Sequence, residues 1–135
     1  MPLFIWKPSY EIDVLELDHD HRHLVGLINE LYEAMKLGHG YELVNQMIDR
    51  LLTYAGEHFN TEEGFMRANN YPYFEAHVRE HDEFRARIGE MDRNRRAGLL
   101  LPSTEMLTFL CDWLKTHILE SDKNLGHFIK RQRQD

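Results

Sequence analysis

Little in this chain marks a secreted, membrane-bound or nucleic-acid-binding protein. Its only cysteine, Cys111, excludes an intramolecular disulfide and fits a reducing compartment. The longest N-terminal apolar run, Leu3 to Trp6, is too short for a signal-peptide core or a membrane span. Basic charge is scarce: 16 Lys and Arg stand against 23 Asp and Glu, for a net charge of −7. The one basic concentration is a short tail, Lys130 to Arg133, so no stripe is available to a phosphate backbone. Strand signals are weak, and internal repeats and low-complexity segments are missing. The expectation is a cytoplasmic protein, a monomer, folded as one domain over residues 1–135, with no nucleic-acid partner and no membrane insertion.

What the chain does have is histidine, nine in all, against an otherwise ordinary 42% apolar and 29% charged residues. Their places emerge from the helical pattern. Residues 1–17 hold Pro2 and Pro8 and read as an extended arm, with Trp6, Tyr10 and Ile12 packing on the domain. Asp18 is placed to cap a first helix carrying Leu24, Leu27, Ile28, Leu31 and Met35 on one stripe, ended by Gly38 and Gly40. A second helix, 41–66, turns Val44, Met47, Ile48, Leu51, Leu52, Ala55 and Phe59 inward. Asn69 to Pro72 breaks the chain, with Pro72 suited to the first turn of a third helix that reaches residue 96 with Phe84, Ile88 and Met91 inside. Ser103 or Thr104 caps a fourth, with Leu107, Leu110, Leu114 and Ile118 inside. A short helical segment follows at 123–131. The sum is an all-α, up-down-up-down four-helix bundle over 18–131, with an N-terminal arm and a short C-terminal helical segment.

Against this frame, seven polar residues fall in register with the core. His58 and Glu62 are four apart, as are His77 and His81, and residues four apart stack on one helix face. His21 extends the stripe of Leu24 and Ile28, His58 and Glu62 that of Leu51 and Ala55, and His77 and His81 that of Phe84 and Ile88. His117 extends Leu107, Leu110 and Leu114. Asp122 lies five residues beyond His117, about 140° around an ideal helix. The two can face one site only if the helix widens or breaks, so an irregularity is expected at 118–122. Buried carboxylates without compensation cost several kcal/mol or more on an order-of-magnitude scale. Two metal cations would supply the compensation, and imidazoles with carboxylates suit iron, zinc, copper or nickel.

The runs Leu17-Asp18-His19-Asp20-His21, His58-Phe59-x2-Glu62-Glu63-x2-Met66, His77-x3-His81 and Trp113-Leu114-x2-His117-Ile118-x3-Asp122 resemble the hemerythrin family over about residues 4–130. The resemblance implies a non-haem di-iron centre that binds O2 reversibly for carriage, storage or delivery, and not an enzyme. His77, His81 and His117 would hold one iron, and His21 and His58 the other. Glu62 and Asp122 would bridge them together with an oxo or hydroxo group. Leu24, Phe59, Trp113, Leu114 and Ile118 would line the O2 pocket, and an O2-consuming enzyme could receive the gas. The alternatives are a sensor of O2, nitric oxide or redox state acting through a separate partner, and a peroxidase or nitric-oxide-consuming enzyme. A zinc or manganese protein with the same ligands is a further one. His19, His23, His39 and His127 are expected at the surface. Glu63 is expected in solvent or beside a ligand, and Cys111 as a small buried residue that does no chemistry.

Overall fold

The computed structural model describes residues 3–134; Pro2, assigned above to the arm, lies outside them. All regular structure among the described residues is helical. Helices α1 (Leu15–Lys36), α2 (Gly40–Ala68) and α3 (Phe74–Arg96) are followed by α4 (Ser103–Trp113). A nine-residue π-helical segment, Leu114–Asp122, then leads into α5 (Lys123–Gln134).

Three of the helices stop by the same device. After α1, Gly38 takes φ +80°, its N–H reaches Met35 O, and the N–H of His39 reaches Ala34 O at 2.7 Å. Gly98 does the same after α3, and Asn70 after α2 with φ 52°. The left-handed residue lets the chain turn back and satisfies carbonyls that the helix end leaves open. Gly38, not Gly40, is therefore the stop for α1.

The short turns reverse the chain, and cross-helix pairs show it. Arg50 of α2 meets Glu30 of α1, Arg95 of α3 meets Asp49 of α2, and Arg87 of α3 meets Glu105 of α4. The starts of α1 and α3 therefore share one end of the molecule with the far ends of α2 and α4. Between the helices lies one apolar core built on the expected stripes, from Leu24, Ile28 and Leu31 through Met47 and Leu51 to Phe84, Ile88, Leu110 and Ile118. Leu52 departs from expectation: it is 38% exposed, because it sits about 100° around α2 from Leu51.

The arm is tied down more firmly than its composition suggests. Asn29 and the Phe4 backbone exchange two hydrogen bonds, at 2.8 and 2.6 Å. Trp6 packs against the main core, edge-on to Tyr10. Ile12 and Val14 join Leu17, Met66, Tyr71, Leu125 and Ile129 in a second apolar cluster under α5. Three helix starts differ from expectation. The first helix begins at Leu15, so Asp18 lies inside it, buried, and accepts the Ile12 N–H at 2.8 Å; it binds the arm to the helix instead of capping it. Pro72 lies in the turn before α3, which opens at Phe74. Pro102 occupies the cap position of α4, which has no side-chain cap.

Candidate metal centre

The antiparallel arrangement decides what meets at one end. His21 comes from the start of α1, His58 and Glu62 from the far half of α2, and His77 and His81 from the start of α3. His117 and Asp122 come from the π-helical segment. All seven are buried, each no more than 3% exposed. The π-helix delivers Asp122: its backbone bonds run from i to i+5, so residues five apart stack as residues four apart do in an α-helix. The widening starts at Leu114, earlier than the expected 118–122.

Each carboxylate divides its two oxygens. Glu62 Oε1 lies 2.5 Å from His77 Nε2, 3.0 Å from His81 Nε2 and 3.6 Å from His117 Nε2, while Oε2 lies 3.2 Å from His58 Nε2. Asp122 Oδ1 lies 2.9 Å from His77 Nε2 and 3.0 Å from His117 Nε2, while Oδ2 lies 2.9 Å from His21 Nε2. Two groups of donor atoms result, each within 4.8 Å throughout: His77, His81 and His117 with both carboxylates, and His21 and His58 with the same two carboxylates. Metal–ligand bonds of about 2.0–2.2 Å place donor atoms up to roughly 4.4 Å apart.

Several of these atoms are close to one another without being hydrogen-bonded. Both nitrogens of His21, Nε2 of His58, Oε2 of Glu62 and both oxygens of Asp122 are fully buried and have no hydrogen-bond partner among the described residues. Buried polar atoms are nearly always satisfied, and all of these except His21 Nδ1 stand where the imidazoles and shared carboxylates of the two groups meet. The donor set fits a pair of metal ions.

Without metal, the cluster holds its charge internally. Burial pushes the His58 imidazole down, but the Asp20 and Glu62 carboxylates outweigh it and raise it to about 9. His77 is likewise raised to about 9 against its burial by Asp122 and Glu62. Burial would raise the Glu62 carboxyl, yet the adjoining Asp122 and then the surrounding His117, His58 and His77 imidazoles hold it well below the usual range.

The hemerythrin HHE cation binding domain family matches residues 13–129. The chain belongs to the hemerythrin family. Relatives include the bacteriohemerythrins of Clostridium acetobutylicum, 32% identical over 90% of this chain and 97% of that one, and of Stenotrophomonas maltophilia, 31% identical over 96% and 84%. Among solved structures, a hemerythrin mutant aligns with a TM-score of 0.83 at 26% identity, covering 96% of this chain and 98% of its own. Wild-type hemerythrin aligns with a TM-score of 0.82 at the same identity, covering 94% and 98%.

The hemerythrin domain surrounds its histidines with aromatic rings. Phe59 stacks on His81 at 4.0 Å, Trp113 on His117 at 4.0 Å and Tyr54 on His58 at 4.9 Å. The five expected pocket residues, Leu24, Phe59, Trp113, Leu114 and Ile118, are all buried in the main core. Three carboxylates back these imidazoles: Asp20 and Glu80, for which the sequence raised no expectation, and Glu63, which takes the second of its two expected places, beside a ligand. Asp20 lies 2.8 Å from His58 Nδ1, Glu63 2.8 Å from His81 Nδ1, and Glu80 2.9 Å from His117 Nδ1. Each can accept the Nδ1–H, which leaves Nε2 with its lone pair free for a metal. Their sequence signal is adjacency: each follows or precedes one of the seven. His19, His23, His39 and His127 are exposed, and Cys111 is half-buried. Among the described residues, no helix is long and apolar enough to cross a membrane.

Proposed function

We propose that this chain binds O2 reversibly at a pair of iron ions and serves as a carrier, store or deliverer of the gas, not as an enzyme. The observation that carries the reading is the division of Glu62 and Asp122, each with one oxygen toward the three-histidine group and one toward the two-histidine group. His77, His81 and His117 would hold one iron, His21 and His58 the other, and both carboxylates would tie the two together. When bound, such a pair supplies reversible one-electron chemistry at each iron, enough to hold O2 and release it.

The chain's own residues account for the rest. Asp20, Glu63 and Glu80 orient three imidazoles through Nδ1. The two-histidine group offers one fewer nitrogen, which favours it as the side that receives O2. Leu24, Phe59, Trp113, Leu114 and Ile118 would keep water from the site, and a dry wall protects a reduced centre from irreversible oxidation. No acid, base or second polar group stands among them, in keeping with carriage over turnover. The whole chain, 1–135, would act as one such domain, a cytoplasmic monomer handing O2 to a consuming enzyme.

The deciding experiment is metal analysis combined with visible absorption. Protein reduced without air should contain two irons per chain, change colour on exposure to O2 and recover when the gas is removed. Two zinc or manganese ions in place of iron would sink the di-iron reading. A single irreversible oxidation would sink carriage. Steady turnover of peroxide or nitric oxide well above that of free iron would point to an enzyme, and a specific protein partner recovered with the oxygenated form alone would point to a sensor.

A further inference from the structure

The three carboxylates that meet imidazole Nδ1 atoms are not equivalent. Glu63 is itself held, by Arg85 at 3.0 Å and Arg67 at 3.9 Å, and its side chain is 9% exposed. Glu80 is 36% exposed but receives the Ser121 hydroxyl on both oxygens, at 2.8 and 3.0 Å. Asp20 has His58 as its one hydrogen-bond and ion-pair partner among the described residues. It is 32% exposed and stands in the wall of a surface cavity of about 240 Å³ that it shares with His23, Arg50, Tyr54, Glu57 and the edge of His58.

The two histidine groups differ in the same way. In the three-histidine group, His81 and His117 each have a braced carboxylate behind them. In the two-histidine group, Nδ1 of His21 has no hydrogen-bond partner among the described residues, so among them the Asp20–His58 bond is the single carboxylate support on that side. Among the described residues no second group holds that support, while its counterparts are held by Ser121, Arg85 and Arg67. An acceptor at Nδ1 fixes the ring's tautomer and orientation and makes Nε2 a stronger donor.

We propose that Asp20 is the positioning residue for the two-histidine metal: through His58 it sets how tightly that one metal is held and how readily it is reduced, independently of its neighbour. The proposal rests on the two-metal reading of the cluster but not on O2 as its ligand. Glu80 plays the corresponding part for the three-histidine metal.

The test is competition between iron-loaded protein and a soluble chelator, with the reduction midpoint followed alongside. Asp20→Ala should retain two irons when loaded, but yield one of them to chelator with an affinity about 10–100-fold weaker than in the unaltered protein. The midpoint of that iron should move upward, because its imidazole donates less strongly. Asp20→Asn should fall between the two, and Asp20→Glu should restore most of the affinity. Glu80→Gln should also loosen one iron, and the double variant should loosen both, since the two act on different metals. Glu57→Gln, which removes a negative charge from the same cavity without touching His58, should leave both irons as they were. The proposal is overturned if Asp20→Ala holds both irons as tightly as the unaltered protein, if Glu57→Gln reproduces its effect, or if the double variant loosens a single iron. Unaltered protein that holds no pair of metals overturns this proposal and the functional reading together. A loosened iron in Asp20→Ala, in protein that never binds O2 reversibly, upholds this one and removes the other.

Discussion

His58 and Glu62 stand one turn apart on α2, with Nε2 of the first 3.2 Å from Oε2 of the second. The other oxygen of that same carboxylate is 2.5 Å from Nε2 of His77, on a different helix. A spacing that reads in sequence as a simple pair therefore joins two groups of imidazoles. Asp122 repeats the arrangement from the π-helical segment. The two halves of the centre have no separate carboxylates, so whatever disturbs one carboxylate disturbs both halves.

Replacing Glu62 with Gln should accordingly weaken both metals and not one. The loss should be at least about 100-fold in affinity, beyond the 10–100-fold typical of a residue that only supports a ligand. Metal content after dialysis, set beside an unchanged helical circular dichroism spectrum, measures it. Retention of two normally coupled irons would remove Glu62 from the bridge.

The seven buried polar residues were legible in sequence because six of them occupy core positions in the helical stripe, where an uncompensated His or Glu is costly. The π-helical segment was legible because His117 and Asp122 could not share a face in an α-helix. Asp20 and Glu80 were not, and Glu63 was legible only as lying in solvent or beside a ligand, with no imidazole assigned to it. Each sits about 100° around its helix from a neighbouring ligand, and what it meets is decided by a different helix: His58 on α2, His81 on α3 and His117 beyond α4. Packing between elements has no one-dimensional signature of that kind. The start of α1 was misplaced for a related reason. Asp18 has the chemistry of a cap, but the arm running back over it supplies the Ile12 N–H as its partner instead.

Metal removal should leave a protein whose stability falls with rising pH. The His58 and His77 imidazoles are raised to about 9 in the metal-free fold, from about 6.5 when unfolded. A raised folded-state value means that the stabilisation is complete below about pH 6.5 and is lost as the pH climbs to about 9. The melting temperature of chelated protein should therefore decline across that interval. The metal-loaded protein, whose imidazoles carry no proton at Nε2, should hold level. Loading metal near pH 7 should release protons, measurable as a dependence of the binding heat on buffer. A flat stability profile for the chelated protein would contradict the charged cluster.

Phe59 is fully buried and lies flat on His81, with Phe84 and Trp113 at its edges. Phe59→Ala should cost about 3–5 kcal/mol of stability, the usual range for emptying an aromatic core position. Urea unfolding of the metal-free protein would measure that cost without contribution from the metals. In iron-loaded protein, the same opening should admit water beside the centre and accelerate its irreversible oxidation in air. Faster oxidation without a stability loss would mean that Phe59 guards the site but does not support the core.

Gly126 on α5 lies directly against the arm. A Cβ there would stand 2.5 Å from Ile12 Cβ and 2.8 Å from Ile12 O. The oxygen belongs to the backbone and cannot swing aside as the end of a long side chain would. Gly126→Ala should thus force the arm off α5 and cost about 1–3 kcal/mol, as overpacking commonly does. The freed stretch should become open to protease, at residues 3–14, while the helices stay intact. The disturbance should travel further than the arm, because Asp18 binds the Ile12 N–H and Asp18 stands one helical turn before His21 and Arg22, whose guanidinium covers Trp6. Limited proteolysis with mass determination of the fragments reads the first effect, and a thermal melt reads the second. An alanine variant as stable and as protected as the unaltered protein would mean that the arm is not clamped between α1 and α5, and that its apolar residues hold it by burial alone.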